Sequence, residues 1–203
     1  QNILDIFRFD KLISIKEKQF MNKNINFIYL PQNIEKIENE AFDKNQIEIL
    51  DLSNCINLKF IESWSFWNNQ IKQLKLPKNI EIINDSAFSI NQIKILDLSK
   101  CIKLKNIEVY AFSINQIKQL KLQQNIEDIR YCAFEDNQIE SLDLSQFINL
   151  KIIGYGAFAN NQIKQLKLPK NIEIIGDWAF ANNKIEILDL SYCINLKNIE
   201  RFA

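Results

Sequence analysis

Phenylalanine recurs along this chain at Phe20, Phe42, Phe66, Phe88, Phe112, Phe134, Phe158 and Phe180, in steps that alternate between 22 and 24 residues. A small residue precedes most of them, as at Ala41, Ser65, Ala87, Ala111, Ala133, Ala157 and Ala179. The true period is therefore 46, and the stretch from Asn68 to Ile83 reappears unchanged from Asn160 to Ile175, two periods later. Units this short cannot bury an apolar face alone. They must stack in register and share a continuous core.

The short unit reads IKQLKLPKNIEIINDSAFSINQ from Ile71 to Gln92, and the long unit reads IKILDLSKCIKLKNIEVYAFSINQ from Ile93 to Gln116. Each opens with I-x-x-L-x-L, and nine such openings begin at positions 1, 25, 47, 71, 93, 117, 139, 163 and 185, the first degenerate at Gln1. Leu74 and Leu76 flank Lys75, the alternation of a half-buried strand, and Ile71 turns inward at its start. A second apolar group follows the turn: Ile80 and Ile83 in the short unit, Leu104 and Ile107 in the long one. The fold class is a repeat solenoid, mainly parallel β, with about nine stacked strands. Turns or short strands form the opposite face, and nine strands at ~4.8 Å make a stack of about 40 Å. No linker or composition shift interrupts the series, so residues 1–203 read as one domain. The chain stops inside a repeat and neither end carries a recognisable polar cap. That predicts a fragment of a longer array, with end-to-end association through uncapped edges as an option.

The phrase LKLPKNIEIINDSAF resembles the leucine-rich repeats of the BspA-like class, whose signature is L-x-x-I-x-I-P-x-x-V-x-x-I-x-x-x-A-F. The resemblance covers essentially the whole chain. It implies a leucine-rich-repeat fold and a surface-exposed or secreted protein that binds host or matrix proteins. The family usually has Cys three residues after the Phe. Here that place holds Asn45, Asn69, Asn91, Asn115, Asn137, Asn161 and Asn183. The 22/24 alternation also departs from the family's near-constant 23.

An inward Asn bonds turn groups that would otherwise be buried unpaired; the alternative is a polar binding row. Lys23 takes this place in the first full turn, which predicts a more exposed turn there. Between the two strand leucines, long units place Asp5, Asp51, Asp97, Asp143 and Asp189, and short units place Lys75, Lys121 and Lys167, with Tyr29 in the remaining place. Opposite charges thus lie side by side on neighbouring strands. Such a self-neutralising face offers little net field to a ligand. Exposed strand positions alternate between Ile49, Ile95, Ile187 and Gln73, Gln119, Gln165, with Phe27 and Ser141 in two more places. Such apolar residues mark either a partner surface or ordinary scattered surface. Three cysteines, Cys55, Cys101 and Cys193, share one column whose fourth place is Phe147. Equivalent places lie about 10 Å apart, beyond disulfide reach, so these and Cys132 are expected as free thiols.

Lysine plus arginine and aspartate plus glutamate both number 25, so the formal charge is zero. That gives no reason to expect a nucleic-acid partner. The apolar runs are too short for membrane insertion of this segment. Without histidine, a Gly-rich phosphate loop or a C-x-x-C pair, the sequence offers no catalytic constellation, metal site or cofactor site. Residues that break the repeat are the candidates for protein contact. Phe60, Trp64 and Trp67 crowd one unit, where the next long unit has Asn106, Tyr110 and Ser113. Trp178 stands where Ser86 stands, and Tyr192 where Lys100 does. With Phe27, these six are the candidate protein-binding residues, because aromatics dominate interface hot spots. The reading is a non-enzymatic protein-binding or adhesion module, cell-surface or secreted by family resemblance. An intracellular scaffold or spacer block, with a cytoplasmic location, is the alternative. Reversing Lys121 to Asp should lower stability modestly in denaturant titrations. An unchanged midpoint would show that the charge column carries no pairing.

Overall fold

The computed structural model describes residues 2–203, and among them every regular element is a short β-strand. The first opening starts at Gln1, outside the described residues. Three-residue strands form the front: Ile3–Asp5, Phe27–Tyr29, Ile49–Asp51, Gln73–Lys75, Ile95–Asp97, Gln119–Lys121, Ser141–Asp143 and Gln165–Lys167. The ninth coil adds a single parallel bridge from Ile187 to Gln165. Two-residue strands form the back: Ser14–Ile15, Lys36–Ile37, Phe60–Ile61, Ile82–Ile83, Asn106–Ile107, Asp128–Ile129, Ile152–Ile153, Ile174–Ile175 and Asn198–Ile199. All pairings are parallel. The sheet alternation works as expected: Leu50 and Leu96 point inward and are 1% exposed, while Asp51 and Asp97 face out.

The core is one continuous column. Ile71, Ile80 and Ile83 are fully buried, as are Ile61, Ile107 and Ile129, whereas Ile199 on the last back strand is 53% exposed. Six of the eight spine phenylalanines, from Phe42 to Phe158, are also fully buried. Successive rings of the whole spine lie nearly parallel, with centroids 5.2 to 5.7 Å apart. Each buries ~150–250 Å² of surface, and offset stacking adds to that burial.

The asparagine column is structural. Asn115 Oδ1 accepts the Ile93 N–H of the preceding coil at 3.0 Å, while Nδ2 donates to Phe88 O of that coil and to Phe112 O and Ser113 O of its own. Asn45, Asn69, Asn91, Asn137, Asn161 and Asn183 repeat the pattern: each accepts one inward-strand N–H and donates to the preceding Phe carbonyl. Lys23 is exposed, and its own N–H is held by Asn45 Oδ1 from the next coil. Every internal coil is thus stapled to its predecessor through a buried side-chain amide.

The two extra residues of the long unit sit in one place. Ile49 to Phe60 is 11 positions, whereas Gln73 to Ile82 is nine. The aspartate column has a second duty in this longer connection. Asp51, Asp97, Asp143 and Asp189 each accept the N–H of a serine two residues on, at 2.9 to 3.0 Å, a side-chain turn that fixes the chain's exit from the strand. The Ser99, Ser145 and Ser191 hydroxyls hold Asp97, Asp143 and Asp189 below the ordinary carboxylate range. The lysines pair with these aspartates in one direction only. Lys75, Lys121 and Lys167 reach the Asp of the preceding long unit at 3.0, 3.9 and 3.3 Å. Front strands likewise ladder within a long–short doublet, as Leu50 with Leu74 and Leu96 with Leu120. Doublets join at the front by bonds such as Gln92 N–H to Ile71 O.

Each coil also turns twice through the left-handed region, two residues before and two residues after the spine Phe. Trp64 (φ 56°) and Asn68 (φ 51°) are one such pair. Only Gly156 meets this demand without a side chain. Non-glycine residues pay roughly 1–2 kcal/mol there, so coil stacking must offset that cost.

Replacing Asn115 with Ala would leave the Ile93 N–H buried and unpaired, at about 1–3 kcal/mol, while the Phe88 and Phe112 carbonyls keep bonds from Asn91 and Asn137. A drop of about 1–3 kcal/mol in chemical denaturation is expected. A loss under about 1 kcal/mol would show that the amide is replaceable.

Candidate protein-binding surface

Consecutive coils are tied edge to edge just after the back strands. The amides of Glu40, Trp64, Ser86, Tyr110, Cys132, Gly156 and Trp178 donate in series to the carbonyls of Ser63, Asp85, Val109, Tyr131, Tyr155, Asp177 and Arg201 in the next coil. Two neighbouring columns therefore run along one ridge. Their aromatic members point outward because the Ala-Phe pair that follows fills the core. Tyr131 and Tyr155 stack at 4.8 Å, and Tyr110 meets Tyr131 edge-on at 5.2 Å. Further along, Trp178 lies against Phe202 at 4.7 Å. Trp64, Tyr131, Tyr155 and Trp178 are each 40 to 45% exposed. Hydrogen bonding to Tyr131 is the main cause that raises the Tyr110 phenol pKa. The Cys132 thiol beneath it is pushed up to about 12 by burial, and Cys55 and Cys101 to about 11.

Trp64 and Trp67 share a cleft of about 280 Å³ with Glu40, Asp43 and Lys44. The Lys44 ammonium lies 5.0 Å from the Trp67 ring centre and 3.5 Å from Asp43 Oδ2. Asp43 is 2% exposed, and its Oδ1 has no hydrogen-bond partner. Burial is the main cause that pushes its pKa up, against the pull of Lys44. Asp43 stands one residue after a spine Phe. Elsewhere this column holds Ser89 and Ser113, whose hydroxyls bond each other at 2.8 Å, Ala159 and Ala181, Met21, Trp67, and a second acid, the half-buried Glu135. Among the described residues, Asp43 Oδ1 is the one buried side-chain oxygen of this column without a partner.

The six candidates fall in four places. Trp64 and Trp67 come together, and Trp178 lies on the same ridge. Phe60 is half-buried on a back strand between Lys36 and Ile82. Phe27 is half-buried on the front, paired with Ile3. Tyr192 stands 74% exposed on the last long connection. Sequence reasoning missed Tyr131 and Tyr155, because they lie one column over from Trp64 and Tyr110. It also missed Ile56, Ile102, Ile148 and Ile194, which recur every 46 residues and crown the long connections at 54 to 76% exposure. Among the described residues, no group of three or more metal-ligating side chains is present. No helix is long and apolar enough to cross a membrane.

The model of the BspA type leucine rich repeat region matches in six copies over residues 13–140 and 98–203. The chain belongs to the BspA-type leucine-rich-repeat family. A search of curated proteins returned no match. Among solved structures, the chain resembles one described as the functional domain of InlJ from Listeria monocytogenes, which includes a cysteine ladder. The TM-score is 0.53 at 16% identity, with 94% of this chain and 44% of that one covered. That likeness concerns the fold, and this chain spans less than half of the solved domain. In this BspA-type chain, the amides of seven asparagines form the ladder along the coils.

An acid whose pKa is raised by folding weakens the fold above that pKa and does nothing once protonated in both states. Asp43→Asn should therefore raise the thermal midpoint at pH 7, with the gain vanishing near pH 3. Melting curves at the two values check this. An equal gain at both, or a loss at pH 7, would overturn the burial argument.

Proposed function

We propose that this BspA-type solenoid is a non-enzymatic protein-binding or adhesion module of a surface or secreted protein, and that the aromatic ridge is its contact face. The observation that carries this reading is the ridge itself. Trp64, Tyr110 and Trp178 occupy left-handed positions that a smaller residue fills in other coils, such as Ser86 or Gly156. The core gains little from them, since the buried spine lies beneath. Large, rigid, half-exposed aromatics with few rotatable bonds lose little entropy on contact and dominate binding energy. Much of the charge on the back face is self-paired. Lys16 with Glu38, Lys36 with Glu62, Lys105 with Glu127 and Lys197 with Glu173 neutralise the back face. A protein partner, rather than nucleic acid, suits a surface with no net charge. Membership in the BspA-type family supports the surface or secreted location.

The test compares the wild-type chain with a quadruple variant, Trp64→Ser, Tyr131→Ser, Tyr155→Ser and Trp178→Ser, both immobilised and exposed to extracellular-matrix and cell-surface protein fractions. Wild type should retain specific proteins saturably. The variant should lose at least about tenfold in retention, the scale of one or two hot-spot aromatics, with its melting transition still cooperative. Equal retention by a folded variant would discard the ridge as the contact face.

A further inference from the structure

The Trp64–Trp67 cleft breaks the repeat in composition and leaves a buried acid half-satisfied. A destabilising group persists where function needs it, and the chemistry around Asp43 says what would satisfy it. We propose that the cleft receives a cationic side chain, a lysine or arginine, from a partner protein. This deepens the protein-binding reading above and rests on it.

Three observations converge on a cation. The first is charge. Glu17, Glu40 and Asp43 face Lys18 and Lys44, with Lys18 shared between Glu17 at 3.5 Å and Glu40 at 3.2 Å. One carboxylate more than ammoniums leaves the cluster net negative on a chain whose total formal charge is zero. The second is the pair of indoles. A cation within about 6 Å of an indole face is attracted by the ring quadrupole. Trp67 already holds one, the Lys44 ammonium. Trp64 is 45% exposed, and among the described residues no ammonium or guanidinium lies over it. The third is Asp43 Oδ1, an acceptor without a donor in a side chain that is 98% removed from solvent. An N–H donor completes it, and a charged donor also compensates the buried carboxylate.

Lys44 is then a built-in occupant that marks where the ligand goes. Its side chain is 45% exposed, so it can turn outward as an incoming ammonium or guanidinium takes its place over Trp67 and beside Asp43. The ligand's alkyl stem lies along the indoles, in a volume of about 280 Å³ that admits one such side chain. Arginine suits the site best. Its guanidinium stacks flat on an aromatic face while donating in its own plane.

The test follows the indole N–H signals of Trp64 and Trp67 by two-dimensional NMR, with Trp178 as an internal reference. The probes are Nα-acetyl-arginine amide, Nα-acetyl-lysine amide, the neutral Nα-acetyl-norleucine amide, and choline as a free small cation. The arginine and lysine probes should shift Trp64 and Trp67 saturably and leave Trp178 unmoved. Norleucine should have no such effect. Asp43→Asn, which keeps the side-chain volume and is expected to fold at least as well, should weaken binding about tenfold, the fold-change of one charge-assisted contact. Lys44→Met should tighten it by removing the competitor. No saturable shift, an equal shift with norleucine, or unchanged affinity in Asp43→Asn would overturn the proposal. Saturation by choline but not by the arginine or lysine probe would overturn the side-chain assignment in favour of a free quaternary ammonium ligand. Because these probes report on the cleft alone, a negative result leaves ridge-mediated protein binding standing. Loss of partner retention in the ridge variant would not rescue the cleft.

Discussion

The buried amide of one asparagine per coil is the contact on which the stack depends. A solenoid this thin turns its backbone sharply beside the core, and each turn strands an N–H and two carbonyls away from water. Backbone cannot satisfy them, because the neighbouring coil's groups are used in its own turns. A single Asn side chain has the right inventory, one acceptor oxygen and two donor hydrogens. It bonds two coils at once, so satisfying the turn and locking the register are the same event. The spine phenylalanines contribute burial, but burial alone tolerates sliding. The amide does not, since a shift of one residue leaves all its partners unmet.

That rigid register explains why the turns accept strain. Two left-handed residues per coil, nearly all with side chains, would disfavour an isolated coil. Stacking repays the cost collectively, so the sequence at these positions is free to vary among Lys, Glu, Ser, Tyr, Cys and Trp. Freedom from a core duty makes the ridge a place where chemistry can be changed without changing the fold. A neighbouring column is as varied: Asp43 and Trp67 share it with Met21, Glu135, two serines and two alanines.

The coil architecture was legible because it repeats. Phe spacing located the spine, the Leu-x-Leu alternation located the front strands, and the asparagine at every turn announced its role by recurring where a buried polar group needs partners. The aspartate column was only half legible. Compared across strands it reads as a countercharge to lysine, which it is. Its turn-holding bond runs two residues along the chain to Ser53, Ser99, Ser145 and Ser191, a direction that column comparison does not inspect. The ridge was partly legible: Trp64 and Trp178 stood out as substitutions, while Tyr131 and Tyr155 hid one column aside. The orphaned oxygen of Asp43 was not legible at all. It depends on how deeply one coil's side chain sinks beneath the next coil, and no spacing records depth.

Front ladders and Asp–Lys pairs close within a doublet, and every second connection is two residues longer. The array therefore has a parity. Inserting or deleting one coil would bring aspartate beside aspartate, or lysine beside lysine, and set two long connections side by side. Adding or removing two coils disturbs nothing. Lineages of this protein should accordingly differ in length by even numbers of coils. The verbatim copy of Asn68–Ile83 at Asn160–Ile175 lies four coils on, an even number, as paired steps of duplication would leave it.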